Sequence, residues 1–129
     1  MIGDKKAILT VFGTGKPLRQ FIYSDDLAKL ILWVLENYNQ IDPIILSVDE
    51  NDEVEIGHAA RLVANSMGKN MNIPFELEFD TSYSDGQFKK TADNSKLKSL
   101  IKQFNFTRIE DGIDKSVKWF IYNYDNCRK

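Results

Sequence analysis

Arg19 is the side chain whose setting most suggests chemistry. It follows Val11-Phe12-Gly13-Thr14-Gly15-Lys16-Pro17-Leu18 and precedes Gln20-Phe21-Ile22-Tyr23-Ser24-Asp25-Asp26. A guanidinium is planar and permanently charged, and its paired donors match the oxygens of a phosphate or diphosphate. A structural salt bridge is the competing use of the same group. A second stretch, Ser84-Asp85-Gly86-Gln87-Phe88-Lys89-Lys90-Thr91, joins a turn dipeptide to two adjacent lysines and an aromatic ring. That set suits a charged, hydroxylated ligand, and competes with an ordinary solvated surface loop.

The remaining reactive residue types lack partners at useful spacing. Gly13-Thr14-Gly15 reads as a turn, because a dinucleotide fingerprint needs a third glycine where Leu18 stands. His58 falls in the first turn of an expected helix with no cysteine or carboxylate at metal-ligand spacing, so no metal is expected. Cys127 has no histidine nearby, and no catalytic thiol is expected of it. Asp25 and Asp26 read as helix-capping acids, and the acidic stretch from Asp49 to Glu55 as a solvated loop. Asn105-Phe106-Thr107 has the form of a glycosylation acceptor, which means little without a secretory signal.

The elements that must position these loops alternate between strand and helix. Ala7 to Phe12 reads as a strand, and Phe21 to Tyr23 as a resumed extended segment. Ser24 to about Tyr38 reads as a helix capped by Ser24, with Leu27, Leu30, Ile31, Val34, Leu35 and Tyr38 as a core stripe. The apolar run Pro43 to Val48 predicts a buried strand. Ile56, Ala59, Ala60, Val63 and Met67 recur at helical spacing, with Gly68 at the terminating position. Phe75, Leu77 and Phe79 alternate with Glu76, Glu78 and Asp80, the pattern of a strand with one wet face. A loop follows from Ser82 to Thr91, then a short helix at Ser95 to Ile101 and an amphipathic helix from Ile109 to Tyr124.

Composition bounds the class. The 129 residues match one domain, with 43% hydrophobic and 28% charged residues, an ordinary globular balance. A net charge of −2 gives no general attraction to nucleic acid or to an anionic membrane, so any anion must be held by a local cluster. The single cysteine fits a reducing compartment, and the cytoplasm is the expected location. No run approaches the ~20 apolar residues that span a bilayer.

The two chemical stretches carry a resemblance. The run from Val11 to Asp26, continuing through Leu27-Ala28, resembles the arginine-bearing segment of the extended short-chain dehydrogenase/reductases that act on nucleotide sugars. Ser84 to Thr91, with Ile44-Ile45-Leu46-Ser47-Val48, narrows the likeness to the branch that epimerises GDP-4-keto-6-deoxy-D-mannose and reduces it with NADPH to GDP-L-fucose. The likeness runs from about residue 7 to Lys129 and includes the closing Trp119-Phe120 and Asn123-Tyr124. It implies an α/β fold: residues 1–129 as a single C-terminal substrate-binding domain, a short mixed sheet with helices, without the Rossmann half.

Carried over by position, the resemblance implies substrate-binding roles for Phe12, Arg19, Asp85 and Lys90, with Arg19 on the nucleotide diphosphate. Phe12 stands where the family usually has tryptophan, which keeps an aromatic face but loses an indole donor. The family's cofactor glycines and catalytic residues have no counterpart here: no tyrosine is followed four positions later by lysine. The expectation is therefore a GDP-sugar-binding fragment, inactive alone, with no catalytic and no cofactor-binding residues of its own. NADP(H) would serve the full-length enzyme, a homodimer, through the missing N-terminal Rossmann domain. Two alternatives stand beside it: a non-catalytic module for a nucleotide or protein partner, and the equivalent domain of another nucleotide-sugar epimerase or dehydratase. An unpartnered apolar face and self-association are expected of such a fragment.

Overall fold

The computed structural model describes residues 5–128. Strand β1 (Ala7–Phe12) pairs in parallel with β4 (Phe75–Asp80), Ala7 opposite Phe75 and Phe12 opposite Asp80. Strand β2 (Leu18–Arg19) pairs antiparallel with β3 (Val54–Glu55). Four helices complete the fold: α1 (Ser24–Asn37), α2 (Ile56–Met71), α3 (Ser95–Leu100) and α4 (Ile109–Asn123). The expected single mixed sheet is thus two separate pairs, one parallel and one antiparallel.

The core forms where α2 lies across β1 and β4 and against α4. Val11, Ala59, Ala64 and Val117 are buried in these elements, and Leu30 of α1 is wholly buried. A parallel pair needs a crossover connection, and α2 supplies it while covering one face of the strands. Apolar residues at helical spacing on α2 and α4 give each helix the stripe it buries.

Several expected features differ. The extended stretch finds its ladder partner at Leu18–Arg19, and Phe21 to Tyr23 have none. Tyr23, not Ser24, is the N-cap of α1, and no side chain caps that end. Pro43 to Val48 forms no strand; side chains replace the ladder, with Gln20 Nε2 donating to the Val48 carbonyl at 2.8 Å and Asn94 Nδ2 to that of Ser47 at 2.9 Å. A 3-10 turn at Glu50–Asp52 lies within the acidic loop.

Gly68 lies inside α2 rather than ending it. The helix closes at Asn72, which adopts the left-handed conformation (φ 54°, ψ 39°) that asparagine tolerates, while the Gly68 carbonyl accepts the Asn72 and Ile73 amides. A Cβ at Gly68 would lie 3.2 Å from the Ile73 carbonyl, so glycine there permits a close return of the chain. On α1, Leu30 is buried and Leu27, Val34 and Tyr38 are half-buried, but Ile31 and Leu35 are 45% and 76% exposed. The stripe is real, and the described residues cover only part of it.

Candidate functional site

The first loop leaves β1 through two glycines with positive φ, Gly13 at 91° and Gly15 at 74°. Both are tightly enclosed. A side chain at Gly13 would run into the Asp85 carboxylate, and one at Gly15 into the Phe79 ring. The Gly13 amide donates to Asp80, the Gly15 carbonyl accepts the Gly57 amide at 2.8 Å, and the Pro17 carbonyl accepts that of Ile56 at 3.0 Å. The turn therefore closes against β4 and the start of α2 and delivers Leu18 and Arg19 to β3.

The second loop docks on the first. The Leu18 amide donates to the Phe88 carbonyl at 2.8 Å, and Leu18 forms an isolated parallel bridge with Lys89, the residues that immediately precede Arg19 and Lys90. The half-buried Arg19 guanidinium donates from Nη1 to the Leu18 and Phe88 carbonyls and from Nη2 to that of Gln87, at 2.7, 3.4 and 2.7 Å. No carboxylate pairs with it among the described residues. The salt-bridge alternative does not apply, and its charge is uncompensated at contact distance.

The two lysines part company. Lys89 pairs with Glu50 and Glu53 at 3.0 and 3.2 Å, and these acids raise its pKa. Thr91 adds a hydrogen bond to Glu53 at 2.9 Å, fastening the end of the loop to the acidic turn. Lys90 is exposed and has no hydrogen-bond or ion-pair partner among the described residues. Asp85 accepts the Thr14 amide at Oδ1 and the Thr14 hydroxyl at Oδ2, both at 2.6 Å. The Thr14 hydroxyl, then its amide, hold the Asp85 carboxyl below the usual carboxylate range, and the Lys16 charge adds to this.

Phe12, at the end of β1, stacks on Tyr83 with ring centroids 4.1 Å apart and planes 21° from parallel. The rings are 63% and 52% exposed, leaving an aromatic surface at the mouth of the two loops. Tyr83, Thr14 and Gln20 were missed by sequence reasoning. Only Tyr83 had a readable signal: Phe12 and Asp80 end paired strands, and a turn beginning at Asp80 returns Tyr83 to that end, with its amide on the Asp80 carbonyl. Gln20 binds Val48 and both the amide and carbonyl of Ala92.

Two half-open clefts lie elsewhere. Neighbours of about 300 and 270 Å³, they share Phe21, Thr107, Arg108 and Ile109, and neither is lined by Phe12, Arg19, Asp85 or Lys90. At the candidate site Phe12, Tyr83 and Lys90 are all exposed. Asp26 is no capping acid: it is buried, and its carboxylate accepts the Thr107 amide and hydroxyl. Among the described residues no group of three His, Cys, Asp or Glu could hold a metal, and no helix is long and apolar enough to cross a membrane.

Comparison with known proteins gives a consistent pattern. The model of the NAD dependent epimerase/dehydratase family matches residues 2–57. A GDP-L-fucose synthase of Dictyostelium discoideum is 54% identical over 94% of this chain and 37% of its own length. A probable GDP-L-fucose synthase of Drosophila melanogaster is 52% identical over 99% of the chain and 39% of its own. The crystal structure of a GDP-L-fucose synthetase from Naegleria fowleri bound to NADP superposes with a TM-score of 0.88 and 43% identity, over 95% of this chain and 37% of that one. The chain therefore spans under two fifths of the length of these relatives.

Proposed function

Because this chain is a relative of the GDP-L-fucose synthases over nearly its whole length, we propose that it forms the GDP-sugar-binding part of such an enzyme. In this reading residues 1–129 are one substrate-binding domain of a cytoplasmic, homodimeric enzyme. That enzyme epimerises GDP-4-keto-6-deoxy-D-mannose and reduces it with NADPH to GDP-L-fucose. The observation that carries the reading is Arg19: a half-buried guanidinium with no carboxylate partner among the described residues, next to the Leu18–Lys89 bridge that the exposed Lys90 also adjoins. Two such cations suit a diphosphate, the fork by paired donors and the ammonium as a point charge.

The chain's own groups bind and orient. Arg19 and Lys90 hold the diphosphate, and the Phe12–Tyr83 surface lies beside the same loops to take an apolar or planar part of the ligand. Fixing the nucleotide end supplies binding energy remote from the reacting sugar, which orients the carbons to be epimerised and reduced.

The first-loop turn does not fit a dinucleotide. The Gly13 amide already donates to the Asp80 carbonyl and the Thr14 amide to the Asp85 carboxylate, so these donors are engaged within the chain. Acid, base and hydride donor belong to other parts of the enzyme in this reading, and the fragment is inactive alone.

The test is an NMR titration of the chain with GDP and with GDP-mannose, following the amides of Thr14 to Gln20 and Asp85 to Lys90. Shifts confined to these two segments are expected. Their absence at millimolar ligand would overturn binding by this chain alone.

A further inference from the structure

One carboxylate joins the two loops of the candidate site. Resting on the GDP-sugar reading above, we infer that Thr14 and Asp85 form a latch that sets the second loop against the first, and that Asp85 thereby positions Arg19 and Lys90.

Both Asp85 oxygens are engaged by Thr14, and Gly13 is the residue that lets the carboxylate come so close. The loop is held again two and three residues later, where Arg19 donates to the Gln87 and Phe88 carbonyls and the Leu18 amide to Phe88. Between these holds stands Gly86, with φ 68° and open space around it. A loop with such a residue in its middle pivots unless both ends are fixed.

The arrangement answers a conflict at Arg19. Both of its terminal nitrogens already donate to carbonyls, two of them in the second loop. A diphosphate that draws the guanidinium toward itself weakens the hold at Gln87 and Phe88. The Thr14–Asp85 contact does not involve Arg19 and keeps the loop, and Lys90 with it, in place while Arg19 turns to the ligand.

The test uses amide hydrogen exchange on the whole chain, with Thr14→Val, Thr14→Ser and Asp85→Asn. Thr14 is exposed, and valine has its shape without the hydroxyl. Thr14→Val and Asp85→Asn are expected to speed exchange of the Leu18 amide by about five- to tenfold, the worth of one hydrogen bond, while Thr14→Ser stays within about twofold of the parent. The amide of the buried Leu30 reports the fold as a whole and is expected to speed by no more than that of Leu18. Unchanged Leu18 exchange in Thr14→Val would overturn the latch, as would a serine variant that behaves like valine. A parallel GDP titration is expected to show the same ranking of affinities. If the parent chain ignores GDP, binding of the nucleotide by this chain alone fails, and the exchange result still decides the latch.

Discussion

The buried carboxylate of Asp26 accepts the backbone amide of Thr107 at 2.6 Å and its hydroxyl at 3.1 Å, tying the first turn of α1 to the residue that precedes the Arg108 cap of α4. Asp26→Ala leaves that amide without its acceptor and is expected to cost about 2–4 kcal/mol. Thr107→Val keeps the backbone bond and is expected to cost about 1 kcal/mol. Urea midpoints of the two variants check the order, and equal costs would refute it.

Gly15 and Gly86 both have positive φ but differ in surroundings. A Cβ at Gly15 meets the Phe79 ring and lies 3.1 Å from Gly57 Cα, whereas one at Gly86 meets nothing within 4 Å. Gly86→Ala is therefore expected to cost about 1 kcal/mol, from backbone conformation alone. Gly15→Ala adds overpacking and is expected to cost about 2–4 kcal/mol. Thermal melts of the pair distinguish strain from crowding.

Stability is expected to fall in acid. The Thr14 donors favour the charged form of Asp85, so its native pKa lies below the unfolded value of 3.8. The contribution is complete above that value and is lost as the pH drops through the lowered native one. Asp49, held by Lys98 and Asn94, and Asp114, held by Lys118 and Ser66, shift in the same direction. Melting temperature should stay level from about pH 7 to 5 and decline below about 4. Asp85→Asn should make the decline shallower, and an unchanged profile would remove Asp85 from the account.

Arg19→Lys keeps the charge and loses the fork. GDP affinity is expected to drop about tenfold, or about 1.4 kcal/mol. In a full-length enzyme Arg19→Ala is expected to weaken GDP-sugar binding more than NADPH binding. Equal losses in calorimetric titrations would show a general effect on the fold instead.

The sequence made some of this legible. Alternation at Phe75, Leu77 and Phe79 marked β4, and apolar spacing marked α1, α2 and α4, because strand and helix periods are local properties. Pro43 to Val48 misled because apolar content does not reveal whether a neighbouring strand exists to pair with it. Asp26 misled because a carboxylate in a first turn fits a capping role equally well, and Thr107 lies 81 positions away. At the site, the resemblance named Phe12, Arg19, Asp85 and Lys90. The structure bridges Leu18 and Lys89, the neighbours of Arg19 and Lys90, puts Asp85 on Thr14, and pairs Phe12 with Tyr83. Those pairings span the length of the chain, and no local pattern encodes them.

The parallel pairing of β1 with β4 also dictates when the site can exist during folding. Its strands meet only after a long intervening segment has closed, and Thr14 and Asp85, just beyond them, are 71 positions apart. Loop-closure entropy is spent before such contacts return anything, whereas α2 and α4 each form from neighbouring residues. Helices are therefore expected to precede the strand pair on the folding path. The surface carrying Arg19, Lys90 and the stacked rings is among the last parts to assemble, and a chain released with its helices formed but its strands unpaired has no binding site at all.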